Sequence, residues 1–142
     1  MRTLKQLVQD TPALADRMRR ASTAIIEGDA LKARGKRPAA IAQYTEAAEV
    51  EYLIYEELQD EALHADALVS LLSCASCWYC ADELHAARSV ARETLELCGP
   101  KDRRIRARFI ALLKKIEAAL PPARPAGAAT AMEAREGARS NR

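Results

Sequence analysis

The chain is poor in the residues from which reaction centres are assembled. It holds two histidines, one phenylalanine and one tryptophan in 142 residues. Its five glycines fall singly, at 28, 35, 99, 127 and 137, so no glycine-rich loop exists to cradle a phosphate. That excludes the Walker loop and the dinucleotide fingerprint, and zinc-finger ligand spacing is also absent. His64 lies between Leu63 and Ala65, and His85 between Leu84 and Ala86. Neither has an orienting Asn or Asp at a telling spacing, and no oxyanion loop accompanies them. The chain is therefore expected not to be an enzyme, and no cofactor is expected.

Long apolar runs are missing as well. The longest uncharged stretch is Ala67 to Ala81, interrupted by three serines and three cysteines. It is too short for a typical membrane span and reads as a buried helix. Residues 1–20 lack the apolar core of a secretory leader, so a cytoplasmic, soluble protein with four reduced cysteines is expected.

What the chain does have is helix formers. Apolar residues make up 49% of it, but aromatics only 4%, so Ala and Leu carry the apolar content. With Glu, Lys and Arg these are the residues that favour helix. Proline and glycine then act as punctuation. Thr11-Pro12 reads as a helix start, with proline at the first helical position. Residues 13–34 read as one long helix or two shorter ones, stopped by Gly35. Pro38 opens the next helix, running to about Leu58, in which Ile41, Tyr44, Ala48, Tyr52 and Tyr55 recur at helical steps. Gln59-Asp60 marks a weak joint. Residues 61–81 form the most apolar helix, Asp82 is expected to cap the next, 83–98, and Cys98-Gly99-Pro100 to end it in the usual glycine manner. Residues 102–120 carry Ile105, Phe109, Leu112, Leu113 and Ile116 on one side. Pro121 and Pro122 end the domain, and residues 121–142 are expected to form a disordered tail.

The expected fold class is all-α: antiparallel helical hairpins in a stack of about five helices. The divisions are an N-terminal helix (1–20), a first hairpin (21–57), a second hairpin (61–98), a capping helix (102–120) and the tail. The segment from Ala21 to Ile54 resembles a tetratricopeptide repeat. Gly28 occupies the family's small position in the first helix, Gly35 the inter-helix turn, and Ala40, Tyr44 and Ala47 the small, aromatic and small positions of the second helix. Leu71, Ala75, Trp78, Leu84, Ala87 and Leu95 echo the same order further on. The resemblance covers residues 21–120. Ala24 replaces the family's early aromatic, and the proline usual after the second helix is missing near Tyr52. Residues 21–58 also resemble part of a microtubule-interacting-and-trafficking domain.

The tetratricopeptide resemblance implies ligand binding on a concave face lined by the first helix of each hairpin. Carried onto this chain, that groove is Ser22, Ile25, Asp29, Lys32, Val69, Leu72, Ser76 and Tyr79. Family members that grip a C-terminal carboxylate use a Lys and Asn set where this chain has Ile25 and Asp29, so that clamp is not expected. The implied function is a protein–protein interaction module, an adaptor or small assembly chaperone taking a peptide or a helix, with self-association as a further partner reading.

Charge supplies the alternative. Net charge is +2, but residues 58–100 hold two basic and seven acidic residues, whereas residues 101–120 hold seven basic and two acidic. Lys101, Arg103, Arg104, Arg106 and Arg108 form a basic patch that could meet nucleic acid or another anionic partner. Only Phe109 is aromatic there, so no base-stacking platform accompanies it, and nucleic acid is the lesser expectation. Cys74, Cys77 and Cys80 have ligand-like spacing, but on one straight helix Cys74 and Cys80 lie about 9 Å apart in rise and about 120° apart in rotation. A shared metal would need the segment to be a loop, so no metal site is expected. Glu61-x-x-His64 occurs once, without the second copy that a bundle di-metal site requires.

Overall fold

The computed structural model describes residues 1–122 and contains six helices there. They are α1 (Leu4–Asp10), α2 (Pro12–Ala33), α3 (Arg37–Asp60), α4 (His64–Cys80), α5 (Leu84–Leu97) and α6 (Arg103–Ala119). The all-α expectation holds. The helix count is six rather than five, because α2 runs unbroken through the expected division at residue 20 and leaves α1 as a short separate helix. Thr3 and Gln6 form a reciprocal capping box that starts α1. Thr11 caps α2 only through its backbone, with Pro12 at the first position. The expected tail, 121–142, lies from residue 123 onward outside the described residues.

Each long helix packs chiefly on its sequence neighbours, α2 on α3, α3 on α4, α4 on α5 and α5 on α6. Alanine makes these approaches close: Ala21, Ala24, Ala47, Ala48, Ala75, Ala87 and Ala91 are all buried. One core joins Leu68, Leu71, Leu72, Phe109 and Ile116 across α4 and α6. A second gathers Leu7 and Leu14 against Val50, Ile54 and Leu58 of α3. The apolar α4 is thus covered by α3, α5 and α6 of its own chain.

Three of the joints share one backbone geometry. At the end of α2, Gly35 has φ +73°, and its N–H and that of Lys36 donate to the carbonyls of Lys32 and Leu31. Ala62 (φ +57°) and Leu63 repeat these bonds onto Gln59 and Leu58, and Asp82 (φ +62°) and Glu83 repeat them onto Tyr79 and Trp78. This is the Schellman closure, in which one left-handed residue satisfies the last carbonyls of a helix. The residue after it starts the next helix each time, with ψ of 68°, 66° and 70° at Lys36, Leu63 and Glu83. Asp82 therefore ends α4 instead of capping α5, whose start falls to Glu83.

The fourth joint differs. Gly99 does not take the left-handed form; Cys98 ends α5 in extended backbone. The Gly99 N–H donates to Asp102 Oδ2 at 2.8 Å, and His64 Nε2 lies 2.9 Å from the same oxygen. Asp102 thereby ties the α5–α6 turn to the start of α4.

Candidate functional site

The best-built local feature joins α2 to α3. Gly28 is buried against Tyr44, and a Cβ on Gly28 would lie 2.9 Å from Tyr44 Cε1. Nothing larger than hydrogen fits while the ring stays. The Tyr44 hydroxyl donates to Asp29 Oδ1 at 2.5 Å. Burial, and then the Asp29 carboxylate, hold the phenol above its ordinary pKa. Asp29, a groove candidate, thus also anchors the aromatic ring.

Beside this pair, hollows run along α4. Ile25, Asp29, Val69, Leu72 and Ser76 line a central hollow of about 200 Å³, joined by Arg108 of α6. Lys32 and Tyr79 line a wider hollow of about 430 Å³ with Ile41, Leu84 and Ala119. Tyr44 and Cys80 border both, so the two are contiguous. Ser22 lines a third hollow of about 170 Å³ with Leu4, Met18, Glu51, Asp66 and Ser70. A fourth, of about 400 Å³, lies between Ala65 of α4 and Lys101, Arg103 and Arg104. Val69, 52% exposed, borders the central, third and fourth hollows. The eight groove candidates therefore fall along one face in three adjoining hollows. Leu72 differs from a free groove residue: it is 7% exposed and belongs to the α4–α6 core.

The basic patch is not one surface. Lys101, Arg103 and Arg104 surround the fourth hollow, Arg108 turns into the central one, and Arg106 lines none of these hollows. Within the described residues none of the five forms an ion pair with a carboxylate.

Glu51, one of the acidic residues that the sequence assigns to a solvated helix face, is instead partly buried. It opens into the third hollow, where burial pushes its carboxyl up to about 7, against the lowering effect of a hydrogen bond from Ser70. Its signal was present: it stands four residues after buried Ala47 and three before buried Ile54, on the inward face of α3.

Two of the four cysteines, Cys74 and Cys77, are packing residues. Cys74 and Cys77 are buried against Ala24, Ala47 and Ala48, and burial, with Glu51 nearby, pushes both thiols up to about 12. Cys80 is exposed on the next turn. Among the described residues no group of three or more metal-binding side chains converges. Glu61 and His64 turn to different partners, Arg2 at 2.9 Å and Asp102 at 2.9 Å. Among the described residues no helix is long and apolar enough to cross a membrane. The chain matches no protein-family model, no curated protein and no solved structure.

Proposed function

We propose that this chain is a tetratricopeptide-type helical stack that acts without catalysis as a protein–protein interaction module, holding a peptide or a helix along α4. The observation that carries this reading is Val69. It is a half-exposed aliphatic residue bordering three hollows, flanked by partly buried Ile25 and by Ser73 and Ser76. Apolar side chains left open in a concave face are stabilised when a partner covers them, by about 25 cal/mol per Å² buried. The repeated joints and the Gly28–Tyr44 contact support the hairpin-stack assignment. Adaptor or assembly chaperone is the corresponding role, and the cytoplasm its expected place.

The test is affinity capture from native lysate with three baits: the unaltered chain, Ile25→Glu with Tyr79→Ala, and Val69→Glu, each first checked for helicity. A protein retained by the first and lost by the others supports the groove. Equal capture by all three refutes it. The second reading, anionic-partner binding through residues 101–108, is favoured by Lys101, Arg103, Arg104, Arg106 and Arg108 having no ion pair within the described residues. Nucleic acid in the eluate, released steeply by added salt, would favour it over the groove.

A further inference from the structure

The groove is charged differently on its two banks. The third hollow, between α2, α3 and α4, is lined by Glu51 and Asp66 and by no cation. Neither carboxylate has an ion-pair partner within the described residues. The fourth hollow, between α4 and α6, is lined by Lys101, Arg103 and Arg104. Its one acid, Asp102, is already engaged by the Gly99 N–H and by His64. The central hollow repeats the division, with Asp29 on α2 facing Arg108 on α6. Between the banks stands Val69 of α4, half exposed, with the buried Leu72 beneath it. The wide hollow at the far end, with Lys32, Arg37 and Asp82, is mixed and stands outside this pattern.

A charge division across a groove selects more than one along it, because it acts on the two flanks of whatever lies there. We infer that the occupant is an amphipathic helix of a partner protein, its apolar stripe on Val69, with basic residues along one flank and acidic residues along the other. The basic flank meets Asp29 and Asp66; the acidic flank meets Arg103, Arg104 and Arg108. Reversing the helix would exchange its flanks and set like charges together, so the same division fixes the direction in which the helix lies. A flank of lysines suits the acidic bank further, since aliphatic stems can lie against the partly exposed Met18 while the ammonium groups reach the carboxylates. This inference rests on the groove reading above.

The probes are two fluorescent helical peptides of about 20 residues, long enough to hold helix when bound. Both carry the same leucine stripe and equal numbers of Lys and Glu. In one, Lys and Glu occupy opposite flanks; in the other they alternate on both. The segregated peptide is expected to bind at least about tenfold more tightly at low salt, and the advantage to shrink as salt rises. In the Arg103→Glu, Arg104→Glu, Arg108→Glu variant, acids outnumber the one remaining cation, Lys101, on the α6 bank, so both banks are predominantly acidic. That variant is expected to prefer a third peptide with Lys on both flanks, a reversal that misfolding would not produce. Equal binding of the two isomers, both abolished by Val69→Glu, overturns the inference and leaves the groove reading standing. No binding of any peptide at millimolar concentration overturns both. A dimer in light scattering that Val69→Glu converts to monomer puts a second copy in the groove and overturns the inference.

Discussion

Replacing Gly28 by alanine sets two effects of known sign against each other. Alanine in a helix interior is favoured over glycine by about 1 kcal/mol. Against that, the added methyl would sit 2.9 Å from Tyr44 Cε1 and 3.1 Å from both Cδ1 and Cζ. Carbon atoms in contact rest about 3.5 to 4 Å apart, so the ring must retreat by roughly half an ångström or more. It has little room. Tyr44 is 2% exposed, packs with Ala40, Ala81, Leu31 and Ile41, and is tethered at its hydroxyl to Asp29. Overpacking of this kind costs about 1–3 kcal/mol. Gly28→Ala should therefore destabilise the chain by a net ~1 kcal/mol, lowering the thermal midpoint by roughly 3–5 °C for a domain of this size. In a Tyr44→Ala background the clash is gone and only the propensity remains, so the same substitution should stabilise by about 1 kcal/mol. Urea titrations of the four proteins, followed by circular dichroism at 222 nm, measure the cycle; Tyr44→Leu can replace Tyr44→Ala if that variant is too unstable. The reasoning is refuted if Gly28→Ala has the same sign in both backgrounds.

Glu51 and the cysteines give two further expectations. The Glu51 carboxyl is raised from 4.5 to about 7 in the folded chain, so the native state holds a proton there that the unfolded state has lost. Stability contributed by that proton is complete below pH 4.5 and is lost as pH rises through 7. With the exposed part of the group screened by solvent, the loss is on the order of 1 kcal/mol. Melting curves of Glu51→Gln should decline less than those of the unaltered chain between pH 5 and 8, and parallel curves would contradict this. For the thiols, iodoacetamide at pH 8 should label exposed Cys80 well before buried Cys74 and Cys77, whose thiolates are scarce. Peptide mass mapping reads the order, and equal rates at all three would show that the α2–α4 core opens readily.

Helix identity was legible because it rests on periodicity and composition. Gly28, Ala40 and Tyr44 could be assigned their contacts in advance, since a missing side chain beside a large one at helical spacing allows few packings. The joints were read less well, for a physical reason. Gly35 advertises its left-handed backbone, whereas Ala62 and Asp82 adopt the same φ without the residue that favours it. Gly99 advertises that conformation and does not use it, because Asp102 secures its N–H instead. The groove candidates line adjoining hollows because helical periodicity sets which residues of α2 and α4 share a side. Leu72 proved to be core because α6 folds back over it, a long-range contact that periodicity within α4 cannot register. The basic patch divided as well, since Lys101 lies in the turn before α6 and four cations in the first six residues of that helix must point in several directions.

The three matching joints have a consequence for how such a groove can change. Their geometry lies in backbone bonds at the helix ends, so it does not depend on the length of the helices between them. A helix can gain or lose a turn, about 5.4 Å, while the closure at its end is re-formed unchanged. Groove length and groove width are thereby set by separate parts of the chain. Matched insertions in α2, α3 and α4 would lengthen the face along α4, whereas a change at Gly35, Ala62 or Asp82 would alter the spacing of neighbouring helices at constant length. Descendants of this fold could thus be fitted to longer or shorter partners without rebuilding the contacts that hold the stack together.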